Sequence, residues 1–460
     1  MSFIFTRRIS RSLIQSPARI SICGFAILIC IGTVLLTLPE ASATSQKIKF
    51  VDALFTATSA VCVTGLTVLD TGHAFSLFGQ TVILLLIQTG GLGIMTISTF
   101  VILMAGKRPS LAGQMVVQDT LTGGGERDIY STLKDMVLFT FVMEGLGASI
   151  MFLRFLPSYG VIQAIYLSVF HSVSAFCNAG FSLFSNGLEN WQTDWPINIA
   201  TCLLIISGGI GFLVMSELKQ KRPHNLRTLS QLSLHSKLVI STTLILIISS
   251  GIMITIMEWH NTLRPLSVPD RFLAGFFHAV TARTAGFNTI PIGNFTNVTL
   301  FILMLLMFIG ASPGSCGGGI KTTTFATLII LGSSKLKGFK RPEVFYRTIS
   351  QESVNKAISL VMTSMLVIIV GTMLMLVTEQ GNVPVPLSRG HFLKLLFEVV
   401  SAFGTVGLST GITADLTTVG KLILTVIMFI GRLGPLVIAM AVSRTIAPRY
   451  QYAEENIMVG

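Results

Sequence analysis

The chain has 460 residues, of which 51% are hydrophobic and 11% charged, with a mean hydropathy of +0.75. That balance excludes a soluble globular domain and identifies an integral membrane protein. The formal charge of +12 is spread over five short segments, which argues against the clustered basic patch that nucleic-acid binding needs.

Apolar runs long enough to cross a ~30 Å hydrocarbon core in about 20 residues recur along the chain. In chain order, a span is predicted over 18–38, a shorter mixed segment over 50–62, and a second span over 80–105. The pattern returns over 133–155, 161–177 and 196–217, then over 236–258, 270–283 and 297–331. It closes with 356–378, 391–404 and 418–443. The first run is long and is followed by no convincing small-residue processing site, so it reads as a span and not a cleaved signal. The mixed segments are too short to cross and too apolar for surface loops. They are expected to be half-length re-entrant helices, which a membrane permits only where backbone lines a cavity.

The predicted fold is therefore an all-α integral membrane protein of eight transmembrane helices. Four tandem span–pore-loop–span repeats stand in pseudo-fourfold arrangement: 1–105, 106–217, 218–331 and 332–447, with a tail over 448–460. Basic residues set the orientation. Arg7, Arg8, Arg11 and Arg19 precede the first span, and Lys107, Arg108, Arg127 and Lys134 follow the second. Lys219, Lys221, Arg222, Arg227 and Lys237 stand after the fourth, Lys335, Lys337, Lys340, Arg341 and Arg347 after the sixth, and Arg444 and Arg449 in the tail. An even number of spans puts all of them on one face, which the excess of Lys and Arg makes cytoplasmic, with both termini. A secondary role for this face is attraction to anionic lipid or an acidic cytosolic partner.

Each mixed segment runs into a loop built on one glycine. The four stretches are SAVCVTGL (59–66), SAFCNAGF (174–181), TARTAGF (281–287) and SAFGTVGL (401–408). Such recurrence dictates architecture. A half-helix entering from outside points its partly negative C-terminal end at the membrane centre, so four converging ends favour a cation. Beyond the helix the chain must turn back outward, and its carbonyls can replace an ion's water shell. Glycine tolerates the positive φ such a turn demands. The competing reading is four helix-packing glycines.

These loops, with GASPGSCGGGIKTTT (310–324) and FIGRLGP (429–435), make the chain resemble the Trk/Ktr/HKT superfamily of potassium transporters over nearly its whole length. It looks most like the bacterial KtrB-type membrane subunit. The resemblance implies K⁺ uptake across the bacterial cytoplasmic (inner) membrane, often with Na⁺ dependence or symport. It also implies a homodimer docked on a cytosolic nucleotide-binding ring of the KtrA/TrkA type, with no nucleotide on this chain. By the same likeness the filter residues holding K⁺ are Val63, Thr64, Gly65; Asn178, Ala179, Gly180; Thr284, Ala285, Gly286; and Thr405, Val406, Gly407. Glycine in all four loops looks like the potassium-selective members; those with serine in the first loop tend to pass Na⁺.

Two features of the second spans stand out. Residues 310–319 carry five glycines and a proline; at about 1 kcal/mol for each glycine and about 3 for proline, a continuous helix is not expected. An irregular loop at membrane depth must line water or be buried in protein. The stretch 310–321 is assigned as an intramembrane gate, with Gly310, Ser312, Gly314, Ser315, Cys316, Gly317, Gly318, Gly319 and Lys321; a helix kink with a packing role is the alternative. Relatives often carry a small hydroxyl residue where Cys316 stands. A phosphate-loop reading fails because Ile320 replaces the required glycine. Arg432, deep in the last span, costs at least ~2.5–3.5 kcal/mol in a membrane. It is expected to face water or a partner, as a cation barrier and gate anchor or as a packing residue. QTGGLG (88–93) and SGGIG (207–211) are its counterparts without the arginine.

Arg283 is expected to be a strut, paired with Glu398. Asp52 and Asp270 are expected to cap pore helices, and Asp70, Glu189, Asp194 and Asp415 to lie outside with them. His171, His278 and His391 suit no compact metal site, and the six cysteines no disulfide framework. No catalytic constellation appears, so the chain is read as no enzyme. The rivals are an alternating-access cation or solute transporter with broken helices and an intramembrane enzyme.

Overall fold

The computed structural model describes residues 17–44, 47–93, 129–221, 230–339, 341–380 and 390–435. Arg7, Arg8, Arg11, Lys107, Arg108, Arg127, Arg222, Arg227, Lys340, Arg444, Arg449 and the tail 448–460 lie outside the described residues.

The first helices are α1 (Pro17–Leu36), α2 (Phe50–Val61) and α3 (Leu77–Leu92). Next come α4 (Ile129–Tyr159), α5 (Val161–Phe176), α6 (Trp195–Gly209) and α7 (Phe212–Lys221). Then follow α8 (Leu234–Glu258), α9 (Val268–Thr281), α10 (Asn297–Phe308) and α11 (Thr322–Leu336). A two-stranded antiparallel hairpin, β1 (Glu343–Val344) and β2 (Arg347–Thr348), turns at Phe345 and Tyr346. The described chain closes with α12 (Gln351–Gln380), α13 (His391–Gly404) and α14 (Thr418–Leu433).

Among the described residues α1, α4, α8 and α12 are long and apolar enough to cross a membrane, and α6 with α7 forms a bent pair at 96°. The sequence pattern predicts eight spans, with only the second span of the third unit interrupted, at 310–319; among the described residues the other second segments also stop at a glycine. The second long segment of each unit breaks at a glycine-containing turn. Helix α3 ends on Gly93 (φ 85°), α6 turns at Gly211 (φ 94°), and α14 ends on Gly434 (φ 86°). Helix α10 stops at Phe308, before the irregular stretch 309–321. A left-handed glycine ends a helix without a Cβ clash and redirects the chain.

Burial runs opposite to that of a soluble domain. Met362, Leu366, Ile369, Met373 and Val377 of α12 are exposed, as are Leu138, Phe141 and Leu153 of α4. Thr58, Ser59, Ser172, Ser174, Thr281 and Ser401 are buried. Apolar residues facing outward around a partly polar centre suit a hydrocarbon surrounding.

Each breaking helix packs on the short helix of the next unit: α3 on α5, α6 on α9, α10 on α13, and α14 back on α2. Three of these junctions carry a polar tie. Tyr166 Oη donates to Gln80 Oε1 (2.9 Å), Trp195 Nε1 donates to Asp270 Oδ1 (3.0 Å), and Lys421 Nζ reaches Asp52 Oδ1 (2.8 Å). Asp52 and Asp270 are thus not helix caps. Lys49 and Ser267 hold the cap positions without a side-chain cap bond, and the two acids sit in first turns. Capping falls instead to Asp70 (Gly72 N, 2.9 Å) and Asp194 (Ile197 N, 3.1 Å). The Lys421–Asp52 pair joins positions 369 apart and is only 15% and 14% exposed. Removing one partner strands the other charge. Lys421→Met or Asp52→Asn should each cost on the order of 2 kcal/mol, with the double variant recovering part of it. Thermal unfolding of the detergent-solubilised chain checks this.

Candidate functional site

Helices α2, α5, α9 and α13 each run into a tight turn ending on Gly65, Gly180, Gly286 or Gly407. The serine or threonine that opens each sequence motif ties its turn. Ser59 Oγ accepts from Gly65 N, and Ser401 Oγ from Gly407 N, both at 3.1 Å. Ser174 Oγ donates to Phe181 O (2.8 Å), and Thr281 Oγ1 to Phe287 O (2.7 Å).

The backbone alternates hand within every turn. Val63, Asn178, Thr284 and Thr405 have φ of 54°, 57°, 71° and 49°, and the glycines two residues on have 88°, 69°, 80° and 93°. In a regular strand successive side chains, and the carbonyls between them, face opposite ways. Alternating φ sign turns the carbonyls to one side. Each left-handed non-glycine residue costs roughly 1–2 kcal/mol, and strain of that kind persists only where the surroundings over-determine it.

The four turns close on one another. A Cβ built on Gly65 would strike the carbonyl of Ala179, and one on Gly180 would lie 2.7 Å from that of Ala285. A Cβ on Gly286 would strike the Val406 carbonyl, and one on Gly407 the Thr64 carbonyl. The cycle 65, 180, 286, 407 and back to 65 is complete. Outside it opens a cavity of about 250 Å³, lined by all four glycines together with Asp70, Ser182, Asn288, Ser409 and Thr413.

Braces hold the outer limbs of the turns. His171 Nδ1 lies 2.7 Å from Leu167 O, and its Nε2 accepts from Leu183 N at 3.3 Å. Glu398 accepts from Ser409 Oγ (2.6 Å), Thr410 N (3.0 Å) and Thr413 Oγ1 (2.8 Å). The expected Arg283–Glu398 pair does not form. Glu398 is committed to the limb after the fourth turn, while Arg283 Nη2 donates to Thr243 Oγ1 at 3.3 Å. Glu398 stands in α13 and Arg283 in the turn just after α9, and a charge-matching argument from sequence has no information on which way each faces. The brace positions were missed in sequence. The one signal for them was spacing: His171 and Glu398 each lie nine residues before their glycine.

Glu189, partly buried in the loop before α6, accepts from Asn288 Nδ2 at 2.7 Å. Burial raises its carboxyl above the ordinary 4.5, against the lowering effect of that bond. The fold therefore favours the protonated form. Its contribution is fully present below about pH 4.5 and is lost as pH rises through the raised value. Glu189→Gln keeps the acceptor oxygen and should remove this loss. The variant's thermal midpoint should match the parent's at low pH and exceed it near pH 7.

Beneath the turns lies the stretch 309–321. Gly318 N donates to Thr405 Oγ1 at 3.1 Å, and a Cβ on Gly317 would strike Thr284 Oγ1. The stretch is pinned to the break after α6. Ser312 N donates to Gly209 O (3.0 Å), Cys316 N to Gly208 O (3.1 Å), and Phe212 N to Gly314 O (3.0 Å). Gly310 N closes the stretch on Ile320 O at 2.8 Å. Ser315 Oγ donates to Ser312 O (2.6 Å), and Lys321 Nζ to Gly317 O (2.6 Å). Arg432 donates through Nη1 to the Cys316 carbonyl and through Nη2 to the Gly90 carbonyl. Every gate residue named from sequence therefore falls in one layer under the four turns or reaches into it. Among the described residues no group of three or more His, Cys, Asp or Glu is placed to hold a metal ion.

Apolar outward faces, broken inner helices and a backbone-lined axis define a helical, multi-pass membrane protein. The chain belongs to the TrkH family of cation transport proteins, whose pattern matches residues 17–452. It is 39% identical over 447 residues to the Ktr system potassium uptake protein B of Bacillus subtilis, covering 97% of each chain. It is 37% identical to the potassium/sodium uptake protein NtpJ of Enterococcus hirae, covering 99% of this chain and all of that one. The crystal structure of the potassium transporter TrkH from Vibrio parahaemolyticus shares the fold at a TM-score of 0.70 and 20% identity. It covers 92% of this chain and 86% of that one.

Proposed function

We propose that this chain is the membrane subunit of a potassium uptake system. In this reading K⁺ passes down its electrochemical gradient through the carbonyls of Val63–Gly65, Asn178–Gly180, Thr284–Gly286 and Thr405–Gly407. The observation that carries the reading is the closed cycle of glycines, each packed on the next turn's carbonyl. Four helix C-terminal ends aimed at that cycle supply a negative potential. The potassium uptake role of the Bacillus subtilis relative supports the choice of ion, and the potassium/sodium role of the Enterococcus relative supports a Na⁺ dependence.

The four helix–turn–helix units are proposed to cross the membrane eight times, with both termini in the cytoplasm. Lys219 in α7, and Lys335 and Lys337 at the end of α11, on the helices that follow the breaks, support that orientation. The stretch 309–321 acts as the gate, and Arg432 holds it closed under the turns. The word "system" in the relatives' names supports a further subunit. We assign it as a cytosolic nucleotide-binding ring docked on a homodimer of this chain in the bacterial inner membrane.

Reconstitution tests the reading against its rival. Liposomes containing the chain should take up K⁺ down an imposed gradient, at a rate that saturates weakly with concentration. Strict stoichiometric coupling to a second solute would favour alternating access instead.

A further inference from the structure

We propose that Asp70 and His73 set, through the outer pH, how strongly the mouth of the path draws cations; this rests on the conduction reading above. Among the described residues, Asp70 is the one charged residue lining the cavity of about 250 Å³ outside the glycine cycle. Glycines, hydroxyls, one amide and apolar groups make up the rest of that lining. Asp70 Oδ1 accepts from Gly72 N (2.9 Å) and His73 N (3.3 Å), and its Oδ2 lies 3.4 Å from His73 Nδ1. The same Nδ1 lies 3.2 Å from the Oγ of Ser185, which also lines the cavity. The His73 side chain is exposed, so protons reach it from the outer solution. The turn that carries it is held from two sides. A Cβ on Gly72 would strike the Leu183 carbonyl, and Ala43 N donates to Ala74 O at 3.0 Å.

A cleft with low-dielectric walls focuses the field of a fixed charge, so one carboxylate in a narrow mouth raises the local cation concentration. Histidine is the side chain that changes charge between pH 5 and 8. In neutral imidazole one ring nitrogen donates and the other accepts, whereas in imidazolium both donate. With His73 neutral, Nδ1 accepts the Ser185 hydroxyl hydrogen and Asp70 keeps its full charge. A proton taken from the outer solution settles on Nδ1, which then donates to Asp70 Oδ2, while Ser185 turns its hydrogen away. The charge of the pair goes from −1 to 0, and the pull on K⁺ is lost. The elements packed on this turn hold little that could take its place: residues 39–44 carry only Glu40, and α3 and residues 181–188 carry no charge. Around the cavity, Glu189 stands one hydrogen bond behind Asn288, Glu398 stands one behind Ser409 and Thr413, and Asp415 follows Ala414.

The test reads the field and the flux separately on the full chain. Cys23, Cys30 and Cys202 are replaced by serine, Glu189→Gln removes the titrating carboxyl behind Asn288, and Ala414→Cys serves as reporter. Ala414 is exposed and lines the same cavity. The ratio of labelling rates at position 414 by a cationic and an anionic methanethiosulfonate reports the local potential, because thiol ionisation cancels from it. In about 10 mM salt, where the screening length is about 30 Å, this ratio should fall several-fold from pH 8 to pH 5. Asp70→Asn should give the low ratio at both pH values, and asparagine still caps the turn. His73→Gln should hold the high ratio at both. Raising the salt to about 1 M, where the screening length is about 3 Å, should erase these differences, which a merely structural role would not do. Initial K⁺ flux into liposomes at sub-saturating K⁺ should follow the same pattern. A pH step that survives in His73→Gln, a parent-like ratio in Asp70→Asn, or a K⁺ flux indifferent to both changes would overturn the proposal. If the ratio behaves as expected and no liposomes carry K⁺, the pair stands and the conduction reading fails.

Discussion

Gly65→Ser is expected to remove most of the chain's discrimination between K⁺ and Na⁺, with the permeability ratio falling by about tenfold or more, equivalent to about 1.4 kcal/mol. Two costs combine at this position. The residue holds φ 88°, which side-chain-bearing residues rarely adopt, and its Cβ would strike the Ala179 carbonyl of the neighbouring turn. The damage also spreads the other way round the cycle, because Gly407 already packs on Gly65 and on the Thr64 carbonyl. A ring of carbonyls matched to one dehydrated ion cannot admit a Cβ without moving at least one of them. Potassium and sodium fluxes in liposomes give the ratio directly. A ratio equal to the parent's would remove the filter assignment.

Deleting Gly317, Gly318 and Gly319 is expected to raise K⁺ flux several-fold. Gly317 and Gly318 lie against Thr284 and Thr405 at the inner end of the turns, so the deletion takes away the atoms nearest the axis. The remaining stretch keeps its bonds to the α6 break, from Ser312 N to Gly209 O and from Phe212 N to Gly314 O. Arg432→Met should act in the same direction and more weakly, since it frees the Cys316 and Gly90 carbonyls without shortening the stretch. Flux measured alongside a thermal melt separates the alternatives. If the deletion lowers flux while the chain remains folded, the stretch is a structural support and not a gate.

The glycine turns and the interrupted third unit were legible because both are written in local chemistry. A motif that opens on serine or threonine and ends on glycine recurs four times. Five glycines and a proline in ten residues cannot sustain a helix. The breaks in the other second spans were harder to see. QTGGLG and SGGIG sit inside apolar runs that satisfy any hydropathy window, and only the positive φ of Gly93 and Gly211 reveals where the helix is abandoned. The partners of charged residues were not legible at all. Asp52 finds Lys421 from the far end of the chain, and Glu398 turns to Ser409, Thr410 and Thr413 instead of Arg283.

The sequence by itself determined the membrane class, the fourfold recurrence and the identity of the turn residues, because hydropathy and backbone permissiveness belong to each residue and its near neighbours. Only the tertiary structure decided that the four turns meet in a closed cycle and that one guanidinium spans the Cys316 and Gly90 carbonyls. Those relations depend on how one unit's breaking helix packs against the next unit's short helix. That geometry is set by contacts between distant segments, and no local pattern encodes it.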